Sequence, residues 1–259
     1  MSSSKVRSLR PKEHGAYAQL ALPLITALGM GRPHLAGLAL VTSALALFIA
    51  HEPLLVLLGA RGLRARRQDG ARAWRYVLAW STIALGCGVG GLWLGGEAVV
   101  RASAVPLGAL LVLLPVLLKH WEKTLLGEVL AGVALAAAAV PVAVAGGVPI
   151  ATAMVIWGAW TAAFCVTTSA VRWVISSFKH GRGARGGLLL ATVATGAIAG
   201  LSLESQVALA MVPMLLVSWY LIARPPHPRK LRRVGWSLVA STLLAAALAV
   251  LLVAAPAVI

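Results

Sequence analysis

The sequence predicts an all-α integral membrane protein, a bundle of about nine transmembrane helices with a cytoplasmic N-terminus and an outside C-terminus. Three observations predict it. Apolar residues make up 60% of the 259 and charged ones 12%, too little polar surface for a water-soluble globule of this size. Apolar stretches near the roughly 17–25 residues needed to cross hydrocarbon follow one another with short gaps. When those gaps are assigned alternately to the two sides, only Arg32 and Arg101 of the 23 Lys and Arg residues fall on the outer one. Short cytoplasmic loops retain Lys and Arg, so the basic side is the inner one.

The elements follow in order. A basic segment, 1–12, carries Lys5, Arg7, Arg10 and Lys12 and leads into span one, 13–31. Pro23 interrupts that apolar stretch and no small-residue cleavage site follows, so it reads as a retained helix and not a signal peptide. Span two covers 35–58. Its connection to span three, 76–95, holds Arg61, Arg64, Arg66, Arg67, Arg72 and Arg75 with a single acid, Asp69, and reads as a solvated, topology-setting loop. Lys119 and Lys123 separate spans four and five, 103–118 and 124–145. Span six, 151–175, ends on Arg172 and is followed by Lys179, Arg182 and Arg185. Spans seven to nine cover 188–203, 207–223 and 236–257, with Arg224, Arg229, Lys230, Arg232 and Arg233 before the last. Spans four and seven are short; if either fails to cross, the charge alternation breaks.

The linkers are short, so 1–259 reads as one multipass domain. A net charge of +16 spread over juxtamembrane segments, with no soluble domain to carry it, argues against nucleic acid and for the bilayer and its anionic headgroups as partners. Cys87 and Cys165 both lie inside apolar stretches, so no disulfide is expected.

Ionisable groups near the bilayer centre cost roughly 2.5–3.5 kcal/mol on insertion scales, less toward the ends, and usually face the protein interior with a partner. Pro11-Lys12-Glu13-His14-Gly15-Ala16-Tyr17 enters span one; a helix start explains Pro11 and Glu13 but not His14, Gly15 and Tyr17 together. His51-Glu52-Pro53 lies in span two, with Glu52 nine residues, or about 13 Å of helix, before Arg61. Pro53 donates no backbone hydrogen bond and so frees a carbonyl beside the acid. Cys165, Ser169, Arg172, Ser176 and Lys179 recur at spacings of four and three on one face of span six, beside Thr168. Hydroxyls followed by two cations suit an anionic group such as phosphate. Snorkelling of Arg172 and Lys179 explains the cations alone. Glu128 begins span five, where it suits the helix dipole.

The segment Pro11–Tyr17 resembles the N-terminal signature of YwiC-like bacterial membrane proteins, which carry an aromatic residue, commonly Trp, in its last place. The likeness extends to His51-Glu52-Pro53 and to the arginine-ended helix at 165–179, and implies a multipass protein of the bacterial inner (plasma) membrane. A fainter resemblance runs to UbiA-type intramembrane prenyltransferases. Pro115 to Thr124, followed by Leu126-Gly127, is similar to their Tyr-Pro-x-x-Lys-Arg-x-Thr stretch, with residues inserted before Thr124. That resemblance implies nine helices and a cytoplasm-facing site where aspartate-rich motifs hold Mg²⁺ against a prenyl diphosphate. This chain departs from the pattern: Glu52 is the only acid at the first motif, Gly59 stands where a further aspartate is expected, and Arg172 to Lys179 contains none. Mg²⁺ needs several oxygen ligands, and the metal candidates are Glu52, Glu13 and Glu128.

The expected function is a cytoplasm-facing polar cavity binding an isoprenoid or lipid diphosphate on a degenerate UbiA-like scaffold. His51 or His14 would serve as acid or base there, and Glu52 would orient a histidine or steady a carbocation. Lys12, Glu13, Tyr17, Lys119, Glu128, Ser169, Arg172, Ser176 and Lys179 would bind substrate, Arg172 and Lys179 replacing the metal. A proton-linked transporter or carrier, built on intramembrane Glu and His, is one alternative. A non-catalytic binding or assembly factor is the other. The sequence leaves open the choice among them and the oligomeric state.

Overall fold

The computed structural model describes residues 9, 14–119, 121, 123–180, 185–227 and 231–254. Long runs of Ala, Leu and Val with few charges leave the backbone to satisfy its own hydrogen bonds, and among the described residues it does so as helix, with no strand. In chain order the helices are α1 (His14–Met30), α2 (Leu35–Leu57), α3 (Leu63–Ala102), α4 (Ala104–Leu118), α5 (Leu125–Ala137), α6 (Ala139–Ala145), α7 (Ile150–His180), α8 (Arg185–Glu204), α9 (Val212–Ala223) and α10 (Leu231–Ala254). A 3-10 turn, Gln206–Met211, leads into α9, whose Pro213 sits in the first turn where no donor is needed.

Among the described residues, seven helical segments are long and apolar enough to cross a bilayer: α2, α3, α5 with α6, α7, α8, the 3-10 turn with α9, and α10. This is a multipass membrane protein. α1 and α4, at 17 and 15 residues, are apolar but shorter. Nine expected spans thus become seven of crossing length and two short apolar helices.

Two expected elements differ. The arginine-rich stretch after α2 is helix from Leu63 onward, not a loop. Arg, Ala, Gln and Leu are good helix formers and no proline interrupts them. The reversal is confined to residues 58–62, where Gly59 and Gly62 take φ of 78° and 94°. The expected span 124–145 breaks at Ala138 into α5 and α6. Pro141 has no N–H for the Ala137 carbonyl and its ring crowds that oxygen.

α7 is central, packing on α8, α9, α5 and α6, while α10 lies on α1 and α9. Trp160 is fully buried and stacks on Phe164 at 5.2 Å amid Met211, Met214 and small Ala side chains. α2 and α3 form an antiparallel hairpin on α6. Its register is set by Ser43 Oγ, which donates to the Ala84 carbonyl at 2.8 Å, and by Val56, which packs with Ala73 and Leu9. At the far end of the bundle the Arg32 N–H donates to the Gly146 carbonyl at 2.8 Å. A Cβ on Gly31 would lie 2.8 Å from the Gly146 Cα, so only glycine permits that approach.

Candidate functional site: two ion pairs at the basic end

The first pair closes the α2–α3 turn. Arg61 Nε and Nη2 donate to Glu52 Oε1 and Oε2 at 3.0 and 2.6 Å, a two-point contact. Glu52 is 6% exposed. In sequence, Arg61 stood about 13 Å beyond Glu52 along a continuing helix. The turn at Gly59 reverses the chain and brings the guanidinium back. The acid is therefore neutralised by the nearest arginine of a cluster that the sequence reading had assigned to topology. His51, half-buried, neighbours it on α2.

The second pair joins α5 to α7. Thr124 caps α5, its hydroxyl accepting from the Gly127 N–H at 3.0 Å, which places Glu128 one turn in. Arg172 Nε donates to Glu128 Oε2 at 2.7 Å and its Nη2 to the Lys123 carbonyl at 2.7 Å. One guanidinium thus holds both a helix start and the α4–α5 connection against α7. That connection exposes Lys119, Trp121 and Lys123, with Lys119 Nζ 4.9 Å from the Trp121 ring centre.

The other predicted side chains are distributed as follows. Ser169 is 1% exposed and its Oγ has no hydrogen-bond partner among the described residues. Ser176 Oγ donates back to the Trp173 carbonyl at 3.1 Å. Tyr17 stands edge-on to Phe48 at 4.9 Å, tying α1 to α2. His14 and Lys179 lie on helical backbone, but their side chains, with Lys12 and Glu13, fall outside the described residues. Among the described residues no three His, Cys, Asp or Glu side chains are grouped to hold a metal. Glu52 and Glu128 each face an arginine and belong to different helix pairs.

Two grooves are formed elsewhere. One of about 630 Å³ runs between α7 and α8, past Gly158, Thr161, Cys165, Ala194 and Gly200. Another, of about 460 Å³, lies near Arg101, Gly147 and Ile150.

Residues 10–145 match the family model described as YwiC-like protein. The chain belongs to that family. No curated protein and no solved structure matches it. The matched segment of this YwiC-like chain contains Tyr17, His51, Glu52, Arg61, Lys119, Lys123 and Glu128. Ser169, Arg172 and Ser176 lie beyond it, so the second ion pair links the matched segment to the remainder of the chain.

Proposed function

We propose that this protein binds the phosphate or diphosphate head of an isoprenoid or other membrane lipid at the α4–α5 connection beneath Arg172. One observation carries the reading: Arg172 reaches from α7 to both Glu128 and the Lys123 carbonyl, fixing a cation-rich loop at a capped helix start. By sequence, three cations, Lys119, Lys123 and Arg172, stand against two acids, Glu122 and Glu128, a net positive charge suited to an oxyanion. Among the described residues, two of the five guanidinium N–H donors are engaged, and Ser176 lies one turn further along α7. The exposed Trp121 ring beside Lys119 suits the boundary between headgroup and acyl chain. On this reading the basic end faces the cytoplasm of a bacterial inner membrane, the scaffold is of the UbiA type, and both short helices cross with the other seven segments. The function is binding, with cations in place of a metal.

The test is thermal stability of the purified protein in detergent against a long-chain prenyl diphosphate, the matching prenyl alcohol, and each with Mg²⁺. Stabilisation by the diphosphate without metal, absent with the alcohol and reduced at least tenfold in apparent affinity by Lys119→Gln with Lys123→Gln, is expected. An unchanged melting temperature with the diphosphate in both conditions would end the reading.

A further inference from the structure

α3 runs from Leu63 to a break at Gly96, where φ is 69°, well beyond what hydrocarbon requires, before a last short stretch to Ala102. Its side chains sort by face. Leu78, Leu85 and Val89 are all exposed and fall on one side of the helix, the side that meets acyl chains in a bilayer. Followed toward the N-terminus, the same side presents exposed Trp74 and Arg75, then Ala71, then Arg67, with Arg64 one turn beyond. At 3.6 residues per turn these eight positions lie within an arc of about 80–100°. One continuous stripe therefore passes from apolar to aromatic to cationic, the order of a leaflet from its tails to its headgroups. Arg67 and Arg75 are two turns apart with small Ala71 between them, which leaves a notch flanked by two guanidinium groups about 12 Å apart at their helix positions. Two arginine side chains are together long enough to span that gap.

Among the described residues no acid shares this face. Asp69 lies on the other side of α3, 3.9 Å from Arg72, and Glu52 is held by Arg61. The neighbouring Leu9–Val56–Ala73 cluster and the Glu52–Arg61 contact fix the hairpin end, so the notch is carried on rigid backbone.

We infer that Arg67, Ala71, Trp74 and Arg75 form a binding site for an anionic phospholipid. Its phosphate lies between the two guanidinium groups, its glycerol region against Trp74, and its acyl chains along Leu78, Leu85 and Val89. The site is separate from the α4–α5 connection and stands whether or not that loop binds a diphosphate. An anionic lipid is preferred over a zwitterionic one because the face offers three cations, Arg64, Arg67 and Arg75, and among the described residues no anion to match a choline or amine.

The experiment titrates the purified full chain in detergent with phosphatidylglycerol, with phosphatidylcholine of the same acyl chains, and with inorganic phosphate, reading bound lipid by native mass spectrometry. Saturable binding of phosphatidylglycerol, at least tenfold tighter than the other two, is expected. Arg67→Gln with Arg75→Gln weakens it roughly 25-fold, about fivefold for each arginine beside an anionic surface. Arg66→Gln, on another face of the same helix, leaves it unchanged. Should the double variant not fold, Ala71→Glu puts a carboxylate in the notch and gives the same loss. Equal binding of the two phospholipids, full competition by inorganic phosphate, an Arg66→Gln loss as large as that of the double variant, or parental affinity in Ala71→Glu would each overturn the assignment.

Discussion

Removing Arg61 measures what a carboxylate costs when it is left alone at the basic end of the hairpin. Glu52 is 6% exposed and accepts two hydrogen bonds, at 3.0 and 2.6 Å, from one guanidinium. Loss of one member of a buried pair costs about 3–5 kcal/mol, because the remaining charge is neither hydrated nor matched. Arg61 itself is 28% exposed at its side chain, so water softens part of that penalty; Arg61→Ala should cost about 3 kcal/mol. The converse change is milder. Glu52→Gln leaves a cation that can reach water, and should cost about 1–2 kcal/mol for the lost charged hydrogen bonds. The double variant should therefore be more stable than the sum of the single losses predicts. Equilibrium unfolding in mixed micelles with rising dodecyl sulfate, read by the fluorescence of the nine tryptophans, gives all four corners of the cycle. A loss below about 1 kcal/mol for Arg61→Ala, the value of an exposed pair, or strict additivity in the double variant would refute the reasoning.

Three further outcomes are expected. Gly31→Ala forces a methyl to 2.8 Å from the Gly146 backbone and should destabilise by about 1–3 kcal/mol in the same assay, whereas Gly90→Ala, with nothing within 4 Å, should be neutral or slightly stabilising. Arg172→Lys keeps the charge but cannot reach Glu128 and the Lys123 carbonyl together; amide hydrogen exchange at 121–128 should quicken roughly tenfold, the equivalent of about 1.4 kcal/mol. Thr124→Ala removes the cap on α5 and should cost about 1 kcal/mol, with faster exchange at the Gly127 amide while α10 amides stay unaffected.

Much of the helical framework was legible because hydrocarbon demands length and apolarity, and both are written locally in the chain. The boundaries of α2 and α4 fall within a residue or so of the expected ones for that reason. The arginine stretch after α2 misled because charge reports on solvent and not on backbone: Leu63 to Arg75 is polar and still helical. The break at Ala138 was visible in principle through Pro141, three residues later, but an alanine-rich background concealed it. Glu52, Glu128 and Arg172 stood out as expensive ionisable groups, and all three have partners. Their pairing was not legible. It depends on a reversal at Gly59 in one case and on α7 packing beside α5 in the other, both tertiary facts. The hydroxyl stripe on α7 illustrates the same limit, since a shared helical face does not say whether Ser169 meets a ligand or the protein interior.

The sequence distances within the two pairs set an order on biogenesis. Glu52 and Arg61 are nine residues apart, so the acid meets its counter-ion while a single hairpin leaves the translocon, and that unit enters lipid already neutral. Glu128 and Arg172 are 44 residues apart, with α6 and most of α7 between them. Until α7 has been translated, α5 carries a carboxylate without its match and is held at the aqueous boundary.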